Sequence, residues 1–201
     1  MKEGTVIKSR SNAYRLSLLS LFIAIVLVQS VVPFLGYIPV GPFSLSIIQI
    51  TVVVTAVVLG PKEGALVGFV WGLVNWIRAF VWPTSPLAIY VLVNPLISVL
   101  PRVLVGVFAG IVYWQLKKKT SKIWPMAFAG VVGAMTNTVL VLGGMWGLYT
   151  LGWLPLDRLN ISALMPYLLG IMGTNGIPEA IFTAIVVPLI AHPLSRLTAK
   201  K

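Results

Sequence analysis

Long apolar runs govern what this chain can fold into. Uncharged stretches recur from Leu16 to Val32, Leu45 to Leu59, Gly64 to Val81, Leu87 to Leu116, Ile123 to Thr150 and Ile161 to Leu194, and only Arg78, Arg102 and Glu179 interrupt them with charge. A bilayer crossing needs about 20 mostly apolar residues. Of the 201 residues, 58% are hydrophobic and 9% charged, and mean hydropathy is +0.98. A soluble domain carries about 25% charged residues, so a soluble globule is excluded. The expectation is an all-α integral membrane protein, a bundle of six transmembrane helices. It forms a single membrane domain over 1–201, with a cytoplasmic segment 1–15, a bundle 16–195 and a cytoplasmic tail 196–201. The first run is too long for a signal-peptide core and lacks an Ala-x-Ala site, so it reads as an uncleaved span.

Breaks follow from proline and glycine. PFLGYIPVGPFS (Pro33 to Ser44) reads as a loop, Gly60-Pro61 ends the second run, and Trp82 to Pro86 is a turn. Pro95 and Pro101 predict kinks in the fourth run, and TNGIPE (Thr174 to Glu179) predicts a break in the last.

Charge then sets orientation. With six spans and an inner N-terminus, twelve of the fifteen cations lie on the inner side: Lys2, Lys8, Arg10, Arg15, Lys62, Lys117, Lys118, Lys119, Lys122, Arg196, Lys200 and Lys201. The outer loops keep only Arg158, and Arg78 and Arg102 fall within spans. By the positive-inside rule the chain is N-in and C-in. The net charge of +11 is therefore a topology signal rather than a nucleic-acid footprint.

Polar groups within a span are costly and mark candidate sites. Trp71, Asn75 and Arg78 lie at i, i+4, i+7. Asn94, Ser98 and Arg102 lie at i, i+4, i+8, and Asn175, Glu179 and Thr183 repeat that spacing. Each set lines one helical face. Thr136 and Asn137 add a fifth-span contribution. At 1.5 Å per residue, Arg78, Arg102, Asn137 and Glu179 sit roughly 20 Å from the inner ends, with Asn94 and Asn175 further out. Four helices thus converge on a polar cavity open to the outside, and its surplus positive charge suits an anionic ligand. Mutual neutralisation of Arg102 and Glu179 is the structural alternative. Trp82, Tyr90 and Trp146 are aromatic candidates for closing the site or anchoring at the interface. Glycines four apart (Gly64, Gly68, Gly72; Gly106, Gly110) permit close helix contact, and Ser20 and Ala24 place small residues on the first span.

No phosphate-binding G-x-x-x-x-G-K-[ST] loop, nucleophile elbow or zinc-binding His pattern occurs, and there is no cysteine. Four acidic residues, one of them within a span, leave no carboxylate pair at depth. The chain is expected not to be an enzyme and to hold no metal or cofactor. Transport against a gradient needs energy from a partner or a coupled ion.

Three segments resemble the substrate-binding S components of energy-coupling factor (ECF) vitamin transporters: LGPKEGALVGFVWGLVNWIRAF (Leu59 to Phe80), NPLISVLPRVLVGVFAG (Asn94 to Gly110) and NGIPEAIFTAIVVPLI (Asn175 to Ile190). The NPLISVLPR form is most similar to the pantothenate group. The resemblance implies a multi-pass subunit of the prokaryotic plasma membrane that binds a vitamin near the outer face and carries it inward by toppling. Partners implied are a transmembrane coupling subunit and two cytoplasmic ATPases, which use the ATP. It implies a gating first loop, with Tyr37, Pro39 and Gly41, and a coupling-subunit contact at Ser20 and Ala24, where Ser20 departs from the family's alanine. For pantothenate, Arg102 or Arg78 would pair with the carboxylate. Asn75, Asn94, Asn137 and Asn175 would read hydroxyl and amide groups, with Trp71 beside them. Glu179 would orient an arginine or accept from a hydroxyl. Competing readings are another vitamin, such as riboflavin or a pyrimidine precursor, a stand-alone secondary transporter, and an intramembrane enzyme.

Overall fold

The computed structural model describes residues 3–32, 35–40, 43–83, 86–120, 123–153 and 163–199. Helix α1 (Glu3–Val31) leads into a small antiparallel hairpin, β1 (Tyr37–Val40) and β2 (Phe43–Ser46). Then come α2 (Ile48–Val58), α3 (Pro61–Val81), α4 (Pro86–Val91), α5 (Pro95–Ser98), α6 (Leu100–Lys117), α7 (Trp124–Thr150), α8 (Leu164–Ile171), a π-helical turn (Met172–Gly176) and α9 (Ile177–Ala199). The hairpin corrects the expected loop at Pro33 to Ser44. Tyr37, Ile38, Val40, Phe43 and Leu45 are β-favouring residues flanking Gly41-Pro42, and Tyr37 pairs with Ser46 at the open end.

Among the described residues, five helical segments are long and apolar enough to cross a bilayer: Asn12–Val31, Pro61–Val81, Pro95–Lys117, Trp124–Thr150 and Leu164–Arg196. The expected second span is shorter. Helix α2 has 11 residues, about 16 Å at 1.5 Å each, against a hydrocarbon core of about 30 Å. It is the most enclosed element, with every residue but Thr51 buried, and it packs against α1, α3, α6, α7 and α9. A β-branched, uncharged sequence (IQITVVVTAVV) suits a helix with neighbours on all sides.

The tightest packing joins α3 to α6, where the glycine stripes meet. A Cβ on Gly68 would stand 2.1 Å from the Arg102 carbonyl oxygen, and one on Gly106 would stand 2.2 Å from the Gly64 carbonyl carbon. The two backbones touch directly, which is how small residues hold membrane helices together when lipid is as apolar as the side chains.

Proline separates α4 from the Pro95–Lys117 segment, and within that segment the helix is interrupted at Val99, between α5 and α6. Pro95 cannot donate to the Val91 carbonyl, and Asn94 N–H reaches that oxygen instead, at 3.4 Å. Pro101 likewise leaves the Ile97 carbonyl without its helical donor. The predicted break at Thr174 to Glu179 takes the form of the π turn. Pro178 has no N–H for the Thr174 carbonyl, and Ile177 N–H bonds back to Met172.

Candidate functional site

A cavity of about 160 Å³ lies where the hairpin, α3, α6, α7 and the last helix converge. Its polar lining is Tyr37, Ser46, Trp71, Arg102, Asn137, Thr138, Asn175 and Glu179, and Val141, Leu142 and Ile171 form its apolar part.

Arg102 is buried, 7% exposed. Its Nη1 donates to the Ile97 carbonyl at 2.7 Å, the oxygen that Pro101 leaves free. Its guanidinium carbon stands 5.3 Å from the Trp71 ring centroid, a cation–π contact. The close α3–α6 approach through Gly68 and Gly72 is what brings Trp71 and Arg102 together. Among the described residues no ion pair joins Arg102 to Glu179; the ion pair present there is Arg15–Glu63, at 2.7 Å.

Glu179 is committed elsewhere. One oxygen accepts the Ser46 backbone N–H at 2.7 Å, and the other accepts from Gln49 Nε2 at 3.4 Å. Gln49 Nε2 also lies 3.3 Å from Thr183 Oγ1, which donates to the Glu179 carbonyl. The last helix therefore holds the end of the hairpin and the start of α2. The other strand is tied down by Tyr37, whose hydroxyl donates to Asn75 Oδ1 at 3.3 Å.

Ile171, Asn175 and Glu179 are spaced by four and all line the cavity. On an α-helix such residues drift about 40° per step. The wider π turn between the first two reduces that drift, and π turns are frequent at functional sites.

Seven buried side-chain atoms among the described residues have no hydrogen-bond partner, and five belong to cavity-lining residues: Trp71 Nε1, Arg102 Nε, Asn137 Oδ1, Asn175 Oδ1 and Ser46 Oγ. The others are Ser30 Oγ and Gln49 Oε1. Each unsatisfied buried polar group costs about 1–3 kcal/mol unless a ligand or water meets it. The residues that carry these atoms, a cationic and an indole donor, two amides and a hydroxyl, thus line one space. That set matches a small molecule carrying an anionic group together with hydroxyl or amide groups.

The structure brings Trp71, Arg102, Asn137, Asn175, Glu179 and Tyr37 to the cavity. Asn75 stands behind Tyr37. Arg78 does not line it: its Nη1 donates to the Ser30 carbonyl in the last turn of α1, an oxygen left without a helical donor. Asn94 is also elsewhere, capping α5 through a 3.0 Å bond from Leu96 N–H to its Oδ1. Thr136 bonds back to the Val132 carbonyl, and the neighbouring Thr138 lines the cavity instead. Ser20 and Ala24 are exposed on α1. Pro39 lies in β1, while its side chain and Gly41 fall outside the described residues. Sequence reasoning missed Ser46, Gln49 and Thr138. Gln49 was findable, as a lone amide within an apolar run.

The sequence matches the family "ECF transporter, substrate-specific component" over residues 14–191. It is 32% identical over 198 residues to a pantothenate transporter PanT of Leuconostoc mesenteroides subsp. mesenteroides, covering 92% of this chain and 94% of that protein. It is 30% identical over 203 residues to a pantothenic acid transporter PanT of Lactococcus lactis subsp. cremoris, covering 93% and 96%. With a family match across nearly the whole chain and a polar cavity within apolar helices, this multi-pass membrane protein belongs to the substrate-specific components of ECF transporters.

Proposed function

We propose that this chain binds pantothenate in the cavity around Arg102 and delivers it across the plasma membrane as the S component of an ECF-type importer. The observation that carries the reading is that five residues with an unpartnered buried polar atom line one cavity, and it is supported by relatives named for pantothenate. Arg102 and Trp71 receive the carboxylate. Asn137, Asn175 and Ser46 meet the hydroxyl and amide groups. Glu179 holds the hairpin, through Ser46, over the ligand.

The chain crosses the membrane six times, N-in and C-in, with α2 as the shielded short crossing. In support, Arg15 donates to the Leu59 carbonyl and pairs with Glu63. A Cβ on Gly110 would meet Pro61 at 2.6 Å, so Arg15, Lys62 and the Lys117 end of α6 gather at one end of the bundle, as the positive-inside rule requires of the inner side. A coupling subunit docks on the exposed α1 face at Ser20 and Ala24, two partner ATPases supply the energy, and the whole subunit topples to release ligand inward. No chemical step is assigned to the chain.

The test is calorimetric titration of the detergent-purified protein with pantothenate, riboflavin and a pyrimidine precursor, with mass spectrometry of co-purified ligand. Saturable binding of pantothenate alone is expected. Binding of another vitamin with none of pantothenate overturns the assignment. Affinity purification in mild detergent should recover a coupling subunit and two ATPases, whereas uptake by the chain alone in proteoliposomes would identify a secondary transporter.

A further inference from the structure

A second hollow of about 210 Å³ lies between α7 and α8 and opens at the surface of the bundle, lined by Gly143, Trp146, Met165, Leu168, Leu169 and Met172, all but Leu168 exposed. No charged side chain borders it. It shares one residue with the polar cavity, Leu142, which lines both. The partition continues across the facing helix, where Ile171 lines the cavity and the next residue, Met172, lines the hollow. At Leu142 the two spaces are thus one side chain apart.

Leu142, Val141 and Ile171 are also the apolar part of the cavity. A ligand whose carboxylate meets Arg102 and whose polar groups meet the asparagines leaves its apolar end for this wall. In pantothenate that apolar part is the pair of geminal methyl groups, beside the terminal hydroxymethyl. We propose that Leu142 is a specificity-determining partition that limits the apolar end of the ligand to methyl size, and that the hollow behind it is a latent subsite for an alkyl chain. This rests on the reading of the cavity as a pantothenate site.

The prediction compares two probes, pantothenate and a pantothenate analogue with one geminal methyl extended to butyl. The analogue keeps the carboxylate, hydroxyls and amide. Each buried methylene is worth up to about fourfold in affinity, so three allow up to about 60-fold. Both probes are titrated into the purified wild type, Leu142→Ala and Leu142→Val. The wild type should prefer pantothenate strongly. In Leu142→Ala the preference ratio should fall at least tenfold, and in Leu142→Val by less. Gly143 has nothing within 4 Å of a built Cβ, so Gly143→Leu can refill the hollow, and adding it to Leu142→Ala should return the ratio toward the wild-type value.

An unchanged ratio in both Leu142 variants, with pantothenate still bound, overturns the partition alone, and a lipid chain filling the opened space gives that same result. A changed ratio that Gly143→Leu fails to reverse overturns the hollow as the subsite. No pantothenate binding by the wild type overturns the functional reading, and the partition with it.

Discussion

The two interrupted helices start from the same chemistry and end in different devices. In the fourth apolar run, Pro101 removes the donor for the Ile97 carbonyl, and a cationic side chain, Arg102, takes that oxygen at 2.7 Å. In the last run, Pro178 has no N–H for the Thr174 carbonyl, and just before it the helix widens, with Ile177 N–H reaching back five residues to Met172. The first break anchors a charge at the cavity wall. The second widens a helical turn and presents Asn175. A proline in an apolar helix thus becomes a site feature in two ways, by recruiting a side-chain donor at one break and by accompanying a widened turn at the other.

The contrast can be broken at each point. Arg102→Ala should have the largest effect. It removes the cation and re-orphans the Ile97 carbonyl, and losing a charge-assisted hydrogen bond of up to about 3 kcal/mol is roughly a hundredfold in Kd. Titration calorimetry reads the affinity, and a lowered melting temperature of the detergent-solubilised protein reads the carbonyl.

Pro178→Ala should act less. Restoring the N–H favours an ordinary α-turn and rotates Asn175 away from its present direction. One neutral hydrogen bond, about 1 kcal/mol, corresponds to about fivefold weaker binding, with stability held or raised. Unchanged affinity would show that the π turn does not position Asn175.

Asn94→Ala should be smallest on binding. Its side chain caps α5, so stability falls by about 1 kcal/mol, seen as a lower melting temperature, while affinity changes less than twofold. A tenfold loss of affinity would return Asn94 to the ligand's surroundings.

Much of the site was legible because intramembrane polarity is costly. That rule found Trp71, Arg102, Asn137, Asn175 and Glu179, and applied to Gln49 it would have found the residue that shares Glu179. It also drew in Arg78 and Asn94, which satisfy backbone groups elsewhere. Asn94 precedes Pro95, the local pattern of a helix cap, so its role was readable. Arg78 was not, because its acceptor, the Ser30 carbonyl, is 48 residues away. Ser46 contributes a backbone N–H to Glu179, 133 residues distant, and no side-chain pattern announces that.

From the sequence alone came the membrane class, the places where helices end and the residues too polar to face lipid. These follow from local rules: apolar length, missing proline donors and the cost of buried charge. Tertiary structure decided which polar groups were left wanting a partner. Arg78 and Arg102 carry the same signal in the sequence, and only their spatial neighbours separate the one that donates to α1 from the one that lines the cavity and keeps an unpaired Nε. The physical reason is that a hydrogen bond is made within about 3 Å, a distance that sequence separation does not encode.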